Sequence, residues 1–417
     1  PSPQALLDAA NLGGDTDTIG AIAGAILGAA LGFEVFVGRG LAQVELASHL
    51  DLPSVALELL ELRAAHEPTA SASTSPETED SSEADVPEVP APASSSAPGA
   101  GRVVLMGQIL VDRVLQGARP IHGGGSEWAR DGGTHVGGGF NALVAARRMG
   151  AEAISLSPIG TGPHASMIEA ALAREGIVDA GPRVDGVDNG FCVAMIGHDA
   201  ERTFISTKGA ETMTPETAWA DFVRTMSPGD VLYIDGYLMD HPANREAAET
   251  ALRVLPEGVH VLLDVSPVIG IPESLPTHHA IISMNSVEAR AIAKQSRLDG
   301  YLPFDSLSCH LAQTLGRDTL IRLGASGACF ARSASPDSET SAAHIPTPTI
   351  DAVDTNGAGD AHTGVLAASL ALGIPLERGL VLANCAGALA STVPGPASCP
   401  TREEIEAAAD ALSESGN

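Results

Sequence analysis

The sequence predicts an α/β fold in which a mostly parallel sheet is covered by helices on both faces. Three observations carry the prediction. From Gly101 onward, short apolar runs alternate with longer runs of helical character, the pattern of strand–helix units that build a parallel sheet. Apolar residues make up 44% of the chain and aromatics only 3%, so a sizeable core can form but must be packed from Ala, Val, Leu and Ile. Near the C-terminal end, Asp354-Thr355-Asn356-Gly357-Ala358-Gly359-Asp360 leads into an apolar run of small residues from 361 to 372. Sheets of this class bind ligands at the carboxyl ends of their strands, where such a helix would begin.

The strand-like runs fall at 103–110, 153–158, 191–196, 203–206, 231–234, 259–265, 281–284 and 319–323. Each is a short run rich in Val, Ile, Leu or aromatic residues, of strand rather than helix length. Ala-rich runs of helical period at 141–149, 164–175, 243–254, 287–294 and 358–372 lie between or after them. At 417 residues the chain has room for two domains or one large one.

Upstream of this alternation, residues 66–100 read as a disordered acidic Ser/Pro/Ala linker. They hold no aromatic residue and no Lys or Arg, and their seven acids account for −7 of the net charge of −29. Such a stretch buries too little apolar surface to offset its ordering entropy. Residues 1–65 form a separate, helical fragment. Gly20, Gly24, Gly28 and Gly32 recur every fourth residue, a smooth stripe that a second helix can approach closely. A membrane helix is the rival reading, but the apolar stretch 19–33 is short for a span and Glu34 follows it. Ahead of the stripe, Asp15 and Asp17 with Thr16 and Thr18 open a helix. That oxygen set suits Mg²⁺, and equally an N-capped helix with spare acids.

The acidity argues against nucleic acid or an anionic membrane as partner. Only two lysines occur, Lys208 and Lys294, so phosphate binding would rest on backbone N–H groups, Mg²⁺ and a few arginines. Five scattered cysteines without a C-x-x-C pair fit neither a zinc site nor a disulfide framework, and point to a reducing cytoplasm. No basic segment followed by an apolar stretch opens the chain, so a signal peptide is not expected. The chain opens at Pro1 without Met, as a fragment or processed product would.

The heptad 354–360 carries the chemistry. The free N–H groups of a helix's first turn point at an anion, and the helix dipole favours negative charge there. Gly357 and Gly359 would let backbone approach a phosphate without an intervening Cβ. Asp360 would sit where a base for an attacking hydroxyl is needed. An isolated Gly-x-Gly-Asp is also the mark of an Asp-capped helix after a glycine turn.

The full heptad resembles the C-terminal signature of the ribokinase/PfkB family of carbohydrate kinases, matching every fixed position, and the resemblance extends over nearly all of 101–417. Asp112, in the run Val104-Leu105-Met106-Gly107-Gln108-Ile109-Leu110-Val111-Asp112, resembles the family's sugar-binding aspartate after the first strand; a lone Asp there is otherwise a turn residue. Gly137-Gly138-Gly139-Phe140-Asn141 resembles the first family signature, with Val136 where the family has its first glycine. Glu201-Arg202-Thr203-Phe204-Ile205-Ser206 and Gly209-Ala210-Glu211 resemble a lid strand and its turn.

Asn285-Ser286-Val287-Glu288 matches the family's Asn-x-x-Glu motif, which is also a helix-capping pattern. Leu323-Gly324-Ala325-Ser326-Gly327 resembles the turn against the nucleotide. Asn384 and Gly387 resemble positions lining the adenosine site, Asp354 and Ser398 positions near a monovalent cation, and Thr401 onward the last helix. The run 231–238 shows no clear counterpart of the glutamate by which ribokinases contact the sugar.

The resemblance implies a ribokinase-like three-layer αβα sandwich with a small β lid, ATP with Mg²⁺ and K⁺, and a homodimer paired through the lid. It implies phosphorylation of a sugar hydroxyl, with Asp360 as base and the amides of Gly357, Ala358 and Gly359 as anion hole. Asp112, Gly137, Gly138 and Asn141 would bind the sugar. Asn285, Glu288, Gly324, Gly327 and Asn384 would bind the nucleotide, Glu288 reaching the metal through water. A nucleoside kinase and a non-catalytic protein of the same fold are the alternatives. The segment around Gly13-Gly14-Asp15-Thr16-Asp17-Thr18 resembles the C-terminal metal motif of ADP-ribosylglycohydrolases, which leaves a fusion acting on ADP-ribosyl groups as a further reading.

Overall fold

The computed structural model describes residues 101–117, 128–196, 202–333, 341–393, 395 and 398–415. The expectations for 1–65, with Asp15 and Asp17, and for the linker 66–100 lie outside the described residues. From Gly101 the chain runs β1 (Arg102–Met106), β2 (Ile109–Gln116), β3 (Arg130–Gly138), α1 (Gly139–Arg148), β4 (Glu152–Ser155), α2 (Pro163–Arg174), β5 (Val178–Asp179), β6 (Phe191–Ile196), β7 (Arg202–Ser206), α3 (Ala218–Val223), β8 (Val231–Asp235), α4 (Pro242–Leu252), β9 (His260–Asp264), β10 (Ala280–Asn285), α5 (Ser286–Gln295), α6 (Phe304–Leu315), β11 (Asp318–Arg322), β12 (Ala328–Ala331), β13 (Ala342–Ile345), α7 (Ala358–Ala371), α8 (Leu376–Ala390) and α9 (Arg402–Ser415).

Nine strands form the main sheet in the order β13-β12-β11-β10-β9-β8-β1-β4-β5. All neighbours run parallel except at β12 and β13, which finish one edge antiparallel. Strand side chains alternate between two cores. Val103, Leu105, Val231 and Tyr233 face α1, α2, α7, α8 and α9. Val104, Met106, Leu232 and Ile234 face α3, α4, α5 and α6. Each such fully buried aliphatic side chain stabilises the fold by about 1.5–3 kcal/mol. The expected three-layer sandwich is present, and β3-β2-β6-β7 form a separate four-stranded sheet, the lid.

One expectation about elements changes. The run 103–110 is not one strand: Gly107 and Gln108 break it, sending β1 into the main sheet and β2 into the lid. The Asp235 carboxylate accepts the Gln108 N–H at 2.6 Å, and a Cβ on Gly107 would lie 2.6 Å from that same oxygen. The glycines 137–139 end β3 and start α1, with Gly138 at φ +65°. Strands β3, β5, β12 and β13 and helices α3 and α6 come as additions to the expected elements.

Lid and body are joined by glycine seams. The Gly139 N–H donates to the Gln108 carbonyl at 2.9 Å. On the other side, the buried Glu211 carboxylate accepts from Gly190 N–H (2.7 Å) and Gly209 N–H (2.8 Å). Among the described residues no helix is long and apolar enough to cross a membrane.

Candidate active site

The site lies on the carboxyl edge of the main sheet, where the apolar strands end in polar residues. β8 ends in Asp235, β9 in Asp264, β10 in Asn285 and β11 in Arg322. Arg322 clamps Asp264 with two bonds, Nη1 to Oδ2 at 2.9 Å and Nη2 to Oδ1 at 3.1 Å. Its Nη1 also donates to Ser283 Oγ at 2.6 Å, and the Thr363 hydroxyl donates to Asp264 at 3.0 Å. This tie joins α7 to the sheet beneath its first turn.

Gly357, at φ +76°, is the N-cap of α7. The Ala358 N–H is turned back to the Thr355 carbonyl at 3.3 Å and the Ala361 N–H to Gly357 at 2.8 Å. The N–H groups of Gly359 and Asp360 belong to the first turn and have no intrahelical partner by position. Asn141, from α1, donates to the Asp360 carboxylate at 3.0 Å. Burial, reinforced by Asp264 and Asp112 and opposed by Asn141 and Arg322, pushes the Asp360 pKa up to about 7. A carboxyl poised there is suited to exchanging a proton near neutral pH.

Two cavities meet at this helix start. The first, of about 400 Å³, is lined by Asp360, Asn356, Asp112, Asn141, Gly138 and Gly139 among others. Its roof is the inner face of the lid, where alternation brings Leu110 and Asp112 of β2, Cys192 of β6 and Phe204 and Ser206 of β7 together. Burial pushes the Asp112 pKa up to about 6, with His135 opposing. Gly137 does not line this cavity; it lies under Asp112, whose carboxylate would be 2.0 Å from a Cβ there.

The second cavity, of about 450 Å³, is lined by Asn285, Gly324, Gly327, Asn384, Gly359 and Arg322 among others. Asn384 spends its amide N–H groups on the carbonyls of Ile345 and Pro346, both at 3.0 Å. His362, one turn into α7, lines the same cavity with both ring nitrogens lacking a hydrogen-bond partner. Burial and then the Arg322 charge push its pKa down to about 3, so it is neutral.

Asn285 and Glu288 do form a capping box. Asn285 accepts from Val287 and Glu288 N–H, and Glu288 accepts from Asn285 N–H at 2.6 Å. Glu288 nonetheless stands at the site, 3.8 Å from Arg322; burial raises its pKa. Asp354 accepts from Asn356 N–H at 2.9 Å and Gly395 N–H at 3.1 Å. Ser398 donates to the Ala390 carbonyl at 3.0 Å. Both fasten loops to the end of α8, where the Asp354 N–H donates to Ser391 at 3.0 Å. Among the described residues no cluster of three or more His, Cys, Asp or Glu side chains forms a metal cage.

The sequence reading missed Arg322, Asp264, Asp235, Gln108 and His362. The signal for the first three was available: each charged residue closes an apolar strand on the ligand-binding edge. Gln108 and His362 had no local signal.

A three-layer α/β body with a β lid over the carboxyl edge, and a helix N-terminus set between two cavities, defines a small-molecule phosphotransferase of the ribokinase-like fold. The chain belongs to the pfkB family of carbohydrate kinases, whose model matches residues 101–403. It is therefore a sugar kinase, a phosphotransferase with an alcohol group as acceptor. A second family, ADP-ribosylglycohydrolase, matches residues 2–69. The chain is 31% identical over 310 residues to an uncharacterized sugar kinase, YegV, of Escherichia coli strain K12, covering 73% of this chain and 92% of that protein. It is 28% identical over 276 residues to an aminoimidazole riboside kinase of Salmonella typhimurium, covering 62% and 82%. Among solved structures, a ribokinase of Thermotoga maritima matches with a TM-score of 0.62 at 20% identity, covering 74% of this chain and 98% of that one. The Arabidopsis thaliana ribokinase complexed with ribose and ATP matches with a TM-score of 0.59 at 22% identity, covering 74% and 99%. At these identities the structural matches establish the fold.

Proposed function

We propose that residues 101–417 form the kinase domain and transfer the γ-phosphoryl group of ATP to a hydroxyl of a sugar-bearing acceptor, with Asp360 as the base. One observation carries the reading. Asn356 and Asp360 line one cavity while Thr355, Ala358 and Gly359 line the other, so the start of α7 is a wall shared by the two. Acceptor and donor held in those cavities would meet across it.

Asp360 takes the hydroxyl proton as the oxygen attacks. The first-turn amides of α7 stabilise the negative charge that develops on the transferring group. A Cβ on Gly359 would meet nothing nearer than Arg322 Nη2 at 4.0 Å, so the space that glycine keeps clear is open to a phosphate rather than filled by protein. Mg²⁺ would be held through water by the oxygen donors Glu288 and Asn285, and when bound it neutralises phosphate charge. Asp354 and Ser398 mark the place for a monovalent cation. The lid excludes water from the reacting groups. Ile205, 59% exposed on the lid's edge strand β7, supports pairing with a second copy, which light scattering in solution checks.

The test is ADP formation from ATP with ribose, fructose, 2-keto-3-deoxygluconate, adenosine and pseudouridine in turn. Acceptor-dependent ADP is expected with at least one; none from a broader panel of sugars and nucleosides would refute the reading. The match at 2–69 favours a second reading, in which Asp15 and Asp17 serve a metal-dependent release of ADP-ribosyl groups. Absence of release from ADP-ribosylated protein with Mg²⁺ dismisses it.

A further inference from the structure

In the turn between β1 and β2, Gln108 has its main chain committed and its side chain uncommitted. The Gln108 N–H donates to Asp235 Oδ2 at 2.6 Å, and its carbonyl accepts from the Gly139 N–H at 2.9 Å. The other oxygen of Asp235 accepts from the Tyr237 N–H at 2.7 Å. The Gln108 side chain, 5% exposed, lines the cavity beneath the lid, and its Nε2 has no hydrogen-bond partner. A buried amide donor without an acceptor costs free energy until something supplies one.

A second buried atom in the same cavity has the opposite need. Asn141, 4% exposed, gives an Nδ2 hydrogen to Asp360 at 3.0 Å and leaves its Oδ1 without a partner. Around these two the wall carries the carboxylates of Asp112, Asp235, Asp264 and Asp360. Ionised carboxylates only accept hydrogen bonds, so they hold the hydrogens of an entering polyol and leave its oxygen lone pairs to others. An unspent donor and an unspent acceptor together fit a group that both accepts and donates, and a hydroxyl is such a group. The doubly tied main chain of Gln108 helps, because a donor on fixed backbone loses little freedom when it binds.

We propose that Gln108 determines acceptor specificity. Its amide N–H holds the oxygen of a hydroxyl that does not react, and the hydrogen of that hydroxyl goes to Asn141 Oδ1. This rests on the kinase reading above and deepens it by naming a feature the acceptor must carry. Because Asn141 also holds Asp360, the second hydroxyl lies close to the one that is phosphorylated. An acceptor without it leaves both Nε2 and Oδ1 buried and unpaired, and is rejected for that reason.

The test is a cycle of protein variant against sugar variant on the full chain. Calorimetry without ATP compares ribose with 2-deoxyribose and 3-deoxyribose, and fructose with 1-deoxyfructose and 3-deoxyfructose; ADP formation reads turnover. In the wild type, removal of one particular hydroxyl from a sugar that binds should weaken it by about ten- to a hundredfold. Gln108→Met keeps the length and lacks the donor. It should weaken the parent sugar by about tenfold, and should bind parent and that analogue within about threefold of each other. Its KM for the parent should rise by more than its kcat falls. Without sugar it should melt no lower than wild type, because an apolar end replaces an unpaired donor. Four results would each overturn the proposal: equal losses on the parent and every analogue, undiminished binding of the parent, a lower melting temperature, or binding of neither parent sugar to the wild type. Failure of the kinase reading looks different: the sugars bind, the cycle converges as expected, and no ADP forms.

Discussion

Asp360→Asn should make the protein more stable and almost inactive at once. Burial lifts the Asp360 pKa from 3.8 to about 7. Each unit corresponds to about 1.4 kcal/mol, so holding the ionised carboxylate in the fold costs at most about 4 kcal/mol. The side chain is only half-buried at the cavity wall, and solvent screening reduces the figure to about 1–2 kcal/mol. The sign follows from the raised value. Below about pH 4 both folded and unfolded chains carry the protonated acid and no penalty exists. Between about pH 4 and 7 the unfolded chain ionises first, and stability falls as pH rises through the folded pKa. Asp112 and Asp235, both pushed up to about 6 by burial, act in the same direction in wild type and variant alike, so the difference between two melting curves reads Asp360 together with its repulsion by Asp112. The asparagine keeps an oxygen to accept from Asn141. The variant's Tm advantage should therefore grow from about pH 4 to about pH 7 and then level, while turnover falls by about 10²–10⁴, the contribution of a general base. Wild-type kcat/KM should rise with pH up to about 7 as the base ionises. A pH-independent Tm difference, or a variant keeping more than about a tenth of wild-type turnover, refutes the reasoning.

Three further substitutions separate site from scaffold. Gly359→Ala places its methyl in space that the protein leaves empty; melting should rise by the equivalent of about 0.5–1 kcal/mol, while calorimetry should show ATP affinity down by at least about tenfold. Gly364→Ala, on the same helix, puts its methyl 2.1 Å from the Ala142 carbonyl where α7 crosses α1, and denaturant unfolding should show a loss of about 3 kcal/mol. Arg322→Met strands the Asp264 carboxylate and should cost about 3–5 kcal/mol; adding Asp264→Asn should recover part of that, a coupling that a double-mutant cycle reads directly.

The layers were legible because β1, β8 and β9 alternate side chains between two cores and so read as continuous apolar runs. The break at Gly107 was not, because its cause is an acid 128 positions away in sequence, Asp235. The antiparallel strands β12 and β13, which finish one edge of the sheet, are only four residues each, and no apolar run marks them out. At the site, the heptad was readable because a glycine's conformation and a helix start are local properties. The Arg322–Asp264 clamp joins two strands that neither sequence spacing nor composition relates. Asn285 and Glu288 show a motif meeting two demands at once: the box that caps α5 also sets Glu288 beside Arg322.

The seams at Gln108–Gly139 and at Glu211 with Gly190 and Gly209 fix the lid at two points. Asp112 and Phe204 stand on the same inner face of the lid, so the spacing between those two side chains sets the size of guest that can touch both at once.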